Sequence, residues 1–231
     1  MKEYTGQMTT ERMREVVLDD HRQSRGAFVE ALPTELEAAI AALSQSYAGF
    51  QDLQSRLPDG DRSAVVFGFL HVANNSLISA LHHLASGFLT SAGNLMRQFA
   101  EATAMSIMCS EKTNQTFESY SKLGLRYPVH NAIDRLGAHK MQRAVRMTPE
   151  VWRTFKENSS FYNSYSHASD MAVAANIIFD RPGTVVLAGQ FDPGKVDHYR
   201  AELAGITSGA EALYSLLPLI EENMARSARA S

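Results

Sequence analysis

The chain has 231 residues, 45% of them hydrophobic, and a formal net charge of -3 at pH 7. It lacks the basic excess of dedicated nucleic-acid-binding domains, so any nucleic-acid contact needs a local patch. The single cysteine, Cys109, excludes an internal disulfide and a cysteine-cluster metal site within one chain. No unbroken apolar run approaches about 18 residues and no apolar signal core opens the chain, so we expect a cytoplasmic protein without a membrane contact.

The N-terminal segment, residues 1–33, predicts a peripheral helix, because it is rich in charged residues and its apolar positions are sparse. We expect this helix to begin at Thr9 or Thr10 and to end near Ala31. The remaining residues, 34–231, predict a helical bundle domain.

Two amphipathic helices open the predicted bundle. The first begins with a T-x-x-E capping box at Thr34 and stops before Pro58. Its apolar residues recur at alternating spacings of four and three: Leu36, Ile40, Leu43, Tyr47 and Phe50. The second covers about residues 64–84. Such spacings are typical of helices that pack in a bundle core.

The next predicted helix, about residues 88–110, is almost entirely apolar or small, so we expect it to run through the centre of the fold. Arg97 and Glu101 lie one turn apart on its polar stripe and can form an ion pair. Either this pair ties helices together, or Arg97 presents a permanent cation to a cleft.

The second half of the chain predicts further helices and one short β-hairpin. The hairpin covers residues 177–188, where two β-branched runs flank the turn sequence Asp180-Arg181-Pro182-Gly183. A long closing helix follows Asp192. Together these signals predict an all-α, single-domain bundle of about seven helices with a small two-stranded insert.

The helix predicted over residues 148–175 contains the side chains best suited to catalysis or binding. His167 lies at its centre and can transfer protons near neutral pH. Asn163 and Asp170 lie within one turn of His167 and can orient its ring. Tyr162 and Tyr165 can stack a base or fill the core. The alternative for His167 is a core histidine whose nitrogens bond neighbouring hydroxyl groups.

Several motifs are missing from the sequence. It has no G-x-x-x-x-G-K-[ST] phosphate loop, no G-x-G-x-x-G, no H-E-x-x-H and no E-x-x-H. The eight histidines are scattered along the chain. We therefore expect neither a metal site nor a cofactor.

Two segments carry a resemblance to a known superfamily. Leu95-Met96-Arg97-Gln98-Phe99-Ala100-Glu101 and Tyr165-Ser166-His167-Ala168-Ser169, with the hairpin and the closing helix, resemble uncharacterised bacterial proteins related to the HEPN superfamily (higher eukaryotes and prokaryotes nucleotide-binding). The similarity in layout covers roughly residues 60–225. It implies a helical bundle that often dimerises, and in many members a metal-independent RNase of toxin–antitoxin, anti-phage or stress systems.

The resemblance also implies an active-site pattern of an arginine, four to six residues and a histidine, contributed by two chains to one cleft. Residues 160–162, where that arginine would precede His167, are Ser-Phe-Tyr. An active site on this pattern would need Arg97 to replace the missing arginine in space.

Three hypotheses follow. The first is a HEPN-like homodimer without the standard Arg-x4-6-His pair, which binds a nucleotide, RNA or a protein partner in a bacterial stress or defence setting. The second is an active metal-independent RNase that uses His167 and Arg97. The third is a purely structural interaction module. An open cleft shared by Arg97 and His167 favours the RNase, whereas burial of both, with Glu101 and hydroxyl groups as their partners, disfavours it.

Overall fold

The computed structural model describes residues 9–166, 169–179 and 189–229, which contain eleven α-helices and no strand. The helices are α1 Thr10–Val17, α2 Arg22–Ala31, α3 Pro33–Arg56, α4 Asp61–Ala85, α5 Leu89–Ser110, α6 Thr116–Leu123, α7 Ala132–Gly137, α8 His139–Val145, α9 Pro149–Ser166, α10 Asp170–Ala175 and α11 Val196–Arg229. The all-α prediction is confirmed.

Helix α5 lies at the centre of the packing, as predicted. It packs along α4 on one side and α9 on another, and it also contacts α7 and α11. Most of its residues are buried, and many of these are small: Ala92, Gly93, Ala100, Ala102, Ala104 and Ser106. Small side chains let neighbouring helices approach closely, so the composition of α5 suits its central position.

Helices α3 and α4 form an antiparallel pair joined by a short loop at residues 57–60. Ser46 Oγ donates a hydrogen bond to Asn74 Oδ1 over 3.0 Å, and both side chains are buried. Phe50 and Phe67 stack with their ring centroids 4.5 Å apart. These two contacts fix the register of the pair. Helix α11 packs along another side of α3.

The expected helix count of about seven is wrong for the described residues, because three predicted helices are interrupted. The first breaks between α1 and α2, where Asp19 and Asp20 accept hydrogen bonds from the backbone N–H groups of His21 and Arg22 at 3.0 and 3.1 Å. Aspartate side chains that bond the backbone in this way compete with helical hydrogen bonds. His21 accordingly has a left-handed backbone, with φ 53°.

The other two interruptions also have local causes. One of the further helices predicted in the second half of the chain, about residues 129–145, breaks at Ala138, whose backbone is extended. Gly137 precedes it, and an added Cβ there would lie 2.5 Å from the Trp152 ring. The helix predicted over 148–175 ends at Ser166, and a new one begins after Ser169, whose hydroxyl accepts from the Ala172 N–H at 3.2 Å. Serine in this position is a strong helix N-cap.

The predicted β-hairpin is not seen. Residues 180–188 lie outside the described residues, and of residues 177–179 only Ile177 forms a β-bridge, without a strand. The Phe179 N–H donates to the Asp192 carboxylate at 2.6 Å, so this backbone group bonds a side chain instead of a sheet partner. Lys195 Nζ donates to the Ala175 carbonyl at 3.1 Å and holds the same segment against the start of α11.

The predicted core seam of α3 is wrong at one position. Ile40 is 42% exposed, whereas Leu43 and Phe50 are buried. Ala39, Ala42, Ser46 and Leu53 provide the rest of the buried face. The face of α3 that packs inward is therefore rotated away from Ile40.

Two helices, Asp61–Ala85 and Pro193–Arg226, are long and apolar enough to cross a membrane by length and composition. The sequence expectation of no membrane contact did not anticipate this. Both helices pack in the bundle, where they contact α5 and α3. Burial against other helices is one sufficient reason for an apolar face, because core helices need the same residues.

Candidate functional site

Helix α9 contacts α5 and α11 through two buried tyrosines. A Cβ added at Gly93 on α5 would lie 2.4 Å from the Tyr165 ring, and one added at Gly205 on α11 would lie 2.5 Å from the Tyr162 hydroxyl. Distances this short are not tolerated between real atoms, so each glycine creates the space for one tyrosine. The two rings stack with centroids 6.2 Å apart.

The Tyr165 hydroxyl joins a hydrogen-bond network with α11. It donates to Glu202 Oε1 at 2.6 Å and contacts His198 Nε2 at 2.7 Å. A tyrosine has one hydroxyl proton, so donation to Glu202 requires the Nε2–H of His198 to donate to the tyrosine oxygen. This arrangement leaves Nδ1 as the basic nitrogen of His198, whose side chain is 30% exposed.

Burial determines the charge state of this network. Burial raises the pKa of Glu202, although the hydrogen bond from Tyr165 and the nearby Tyr162 hydroxyl oppose the shift. Burial also raises the pKa of both tyrosines, and the neighbouring Glu202 charge adds to the effect. Burial and the nearby Lys195 cation lower the pKa of His198. The network therefore favours neutral groups.

The Glu202 carboxylate is only partly satisfied. Its residue is 3% exposed, and Oε2 completes no hydrogen bond with any residue of the described ranges. The Tyr162 hydroxyl approaches the same carboxylate. A buried carboxylate with an incomplete set of partners is costly when ionised, which agrees with the upward direction of its pKa.

Arg97 and Glu101 form the ion pair predicted from their spacing. Arg97 Nε donates to Glu101 Oε1 at 3.0 Å, and the two side chains are 27% and 17% exposed. The Arg97 Nη1 and Nη2 groups donate no hydrogen bond to a described residue. Because position 97 follows Gly93 by about one helical turn, it lies near the part of α5 that contacts α9.

The other predicted site residues have different surroundings. Tyr162 and Tyr165 are 5% and 2% exposed, so their rings fill the core. Asn163 is half-buried on α9, and Asp170 is exposed in the first turn of α10. His167 lies outside the described residues, so the structure does not place it relative to Arg97, Asn163 or Asp170.

The sequence analysis missed His198, Glu202 and the two glycines that receive the tyrosines. His198 and Glu202 are four residues apart on α11, which is a helical pairing. This spacing is visible in the sequence. The glycines gave no such signal, because the partner tyrosines lie on another helix.

Two further groups bear on the chemistry of the chain. No cluster of three or more His, Cys, Asp or Glu side chains within the described ranges could hold a metal ion. Cys109 is buried, and burial raises the pKa of its thiol to about 12. At neutral pH this thiol stays protonated and is a poor nucleophile.

Comparisons of the chain with protein-family models, curated proteins and solved structures found no match.

We expect Gly205→Ala to lower the free energy of unfolding by about 1–3 kcal/mol, because its Cβ would overlap the Tyr162 hydroxyl. In a Tyr162→Phe background the same change should be neutral or stabilising by up to about 1 kcal/mol. The next atom of residue 162 is 3.9 Å away, and alanine forms helices better than glycine. Urea denaturation of the four proteins measures both values.

Gly26→Ala is the matched control for this cycle. Gly26 lies in α2, and no atom lies within 4 Å of an added Cβ, so the substitution should be tolerated in both backgrounds. An equal cost of Gly205→Ala with and without the Tyr162 hydroxyl would show that this hydroxyl does not occupy the space above Gly205.

We also expect Glu202→Gln to change how stability depends on pH. Burial raises the folded-state pKa of Glu202, so its contribution to stability is fully present below the unfolded pKa and is lost as pH rises through the folded pKa. Glutamine cannot ionise, so the melting temperature of the variant relative to wild type should be higher at about pH 8 than at about pH 4. Circular dichroism melts across this range test it, and a difference independent of pH would contradict it.

Proposed function

We propose that this chain binds the phosphate group of a nucleotide or of RNA through Arg97, on the surface of α5 close to α9. The observation that carries the proposal is the geometry of the guanidinium group. Glu101 holds Nε at 3.0 Å, and the terminal nitrogens are not used by any described residue. Two parallel N–H groups of this kind match two oxygens of a phosphate.

The Glu101 contact supports this use of Arg97 in two ways. It fixes the side chain, so less rotamer entropy is lost when a ligand binds. The ion pair is also partly buried, so water and salt screen its charges less than on an exposed surface. A ligand that reaches the outer edge of Arg97 therefore meets a cation that is already oriented.

Arg56 is an arginine that the protein engages more fully. Arg56 donates through Nε and Nη2 to Glu221 and through Nη1 to Asp52. All three of its nitrogens therefore contact carboxylates of the protein. Arg97 differs in having its terminal nitrogens free of such contacts with the described residues, which makes Arg56 a suitable comparison.

The resemblance to the HEPN superfamily supports a nucleotide or RNA as the source of the phosphate. It also supports a cytoplasmic role in bacterial stress or defence. The net charge of -3 agrees with a small site rather than with an extended basic surface. In this proposal a single oriented arginine recognises the phosphate, and other contacts provide the specificity.

We expect Arg97→Ala to weaken binding of a fluorescein-labelled single-stranded RNA by about 10- to 100-fold, the range for loss of a charge-assisted contact. Arg97→Lys should recover only part of the affinity, because lysine keeps the charge but lacks the planar pair of donors. Fluorescence anisotropy at fixed ionic strength measures these changes, with ATP as a competitor.

Arg56→Ala is the control, because this arginine is exposed and its donors are taken by Asp52 and Glu221. Its RNA affinity should stay within about twofold of wild type. Unchanged affinity in Arg97→Ala, or equal losses in both alanine variants, would contradict the proposal. Circular dichroism establishes that each variant is folded.

Metal-independent RNA cleavage by Arg97 and His167 is a second candidate function. The favouring observation is a second histidine, His198, which contacts the Tyr165 hydroxyl of α9 through Nε2 and keeps Nδ1 as the basic nitrogen of a neutral ring. Cleavage in EDTA by wild type, with loss in Arg97→Ala and His167→Ala, would support this function. Loss of cleavage in His198→Ala alone would place the site between α9 and α11. If the wild type does not cleave RNA, binding remains the proposed function.

A further inference from the structure

Three polar side chains form a continuous path from the core between α9 and α11 to a partly exposed histidine. Glu202 and Tyr165 are 3% and 2% exposed, whereas the side chain of His198 is 30% exposed. Glu202 Oε1 lies 2.6 Å from the Tyr165 hydroxyl, and that hydroxyl lies 2.7 Å from His198 Nε2. Both distances are those of short hydrogen bonds, so protons can pass along the path.

Tyr165 is the link in this path. Glu202 Oε1 and His198 Nε2 are 3.6 Å apart, which is longer than a hydrogen bond. A tyrosine hydroxyl donates one hydrogen bond while it accepts another. The direction of one bond therefore fixes the direction of the other, and the path has two arrangements of its protons.

The charge of Glu202 selects between these two arrangements. An ionised carboxylate only accepts, so Tyr165 donates to it, the Nε2–H of His198 donates to the tyrosine oxygen, and Nδ1 is an acceptor. A carboxyl group protonated on Oε1 donates to the tyrosine, which then donates to Nε2, and the ring proton lies on Nδ1. The Nδ1 atom of His198 thus changes from acceptor to donor.

The second carboxylate oxygen of Glu202 favours a proton on Oε1. Oε2 completes no hydrogen bond with any described residue. A proton on Oε2 would be a buried donor without an acceptor, which costs more than a buried oxygen that lacks a donor. The Tyr162 hydroxyl approaches the same carboxyl group and can donate to the oxygen that carries no proton.

The surrounding groups favour neutral Glu202 and neutral His198. Burial raises the pKa of Glu202, and burial together with the Lys195 cation one turn earlier on α11 lowers the pKa of His198. Asp192 lies 3.8 Å from Lys195, and burial keeps both tyrosines of α9 protonated. Helix α5, which packs against α9 and α11, has no titratable side chain before Arg97. A proton added to the pair therefore lies on the carboxyl group.

We propose that Glu202, Tyr165 and His198 form a proton relay that carries a proton between a ligand at His198 Nδ1 and the buried Glu202 carboxylate. In the inward direction Nδ1 takes a proton from the ligand, and Nε2 gives its own proton to the tyrosine oxygen. The tyrosine then gives its proton to Glu202 Oε1. The imidazole ends neutral, the carboxylate is neutralised, and the ligand has lost one proton. The outward direction reverses these steps.

The relay fits a ligand that carries a hydroxyl group. A hydroxyl can donate to Nδ1 in one arrangement and accept from it in the other. His198 is the most exposed of the three side chains, so a ligand meets the relay there. The relay uses no atom of Arg97 or Glu101, so it stands or fails independently of the proposed phosphate site.

NMR of protein labelled with ¹⁵N in its histidines tests the relay, because the shifts of the two ring nitrogens report which one carries the proton. As pH falls from about 8 through the folded-state pKa of Glu202, the neutral His198 ring should change from Nε2–H to Nδ1–H. It should become an imidazolium only at lower pH. His82 is the reference: Arg25 Nη1 lies 3.0 Å from its Nε2, and arginine only donates, so neutral His82 keeps Nδ1–H throughout.

Three variants locate the path. In Glu202→Gln and in Tyr165→Phe the neutral His198 ring should keep one tautomer at every pH, because the proton store or the link is missing. Tyr162→Phe is the matched control on the same helix and should retain the change. Circular dichroism checks the folding of each variant. A wild-type ring that passes directly from Nε2–H to imidazolium would overturn the relay, as would a change that persists in Glu202→Gln or Tyr165→Phe.

Discussion

The packing of α9 on α5, with two tyrosine side chains of α9 that reach α11, is the contact on which the candidate site depends. Two tyrosines on α9 fit into spaces left by Gly93 and Gly205, one on each partner helix. Neither space admits a side chain on the glycine, because a single added carbon would overlap a ring or a hydroxyl. The glycines reduce intrinsic helix stability, and the packing of two buried aromatic rings offsets that loss.

The packing of α9 buries polar groups together that would each be unfavourable to bury alone. Tyr165 reaches Glu202 and His198 at hydrogen-bond distance, and burial then favours the neutral form of each group. Arg97 has the opposite character: it is partly exposed and held by Glu101 at one nitrogen. The chain thus combines a buried neutral network with an oriented cation on the central helix, and the proposed phosphate site uses only the cation.

The sequence predicted the helical architecture well, because apolar spacing reports burial directly. The central position of α5 followed from it. The interruptions near Asp19 and Ser169 were missed, because short polar side chains that bond the backbone end a helix without disturbing its apolar pattern. The predicted hairpin is not seen: the Phe179 N–H bonds the Asp192 carboxylate, and residues 180–188 lie outside the described residues.

The candidate site was only partly predictable. The Arg97–Glu101 pair followed from its spacing on one helix, whereas Gly205 and Glu202 acquire their roles from residues about 40 positions earlier in the chain. Ile40 shows a related limit, because its place in an apolar repeat did not distinguish an exposed residue from a buried one. The position of α9 on α11 needed the three-dimensional structure.

Side-chain NMR of the arginine guanidinium groups during titration with inorganic phosphate and then with AMP tests the central claim most directly. The account predicts that the Arg97 signals shift and saturate, while those of Arg56, whose nitrogens already contact Asp52 and Glu221, stay in place. Unmoved Arg97 signals at saturating AMP, or equal small shifts of all arginines, would contradict a phosphate site at Arg97.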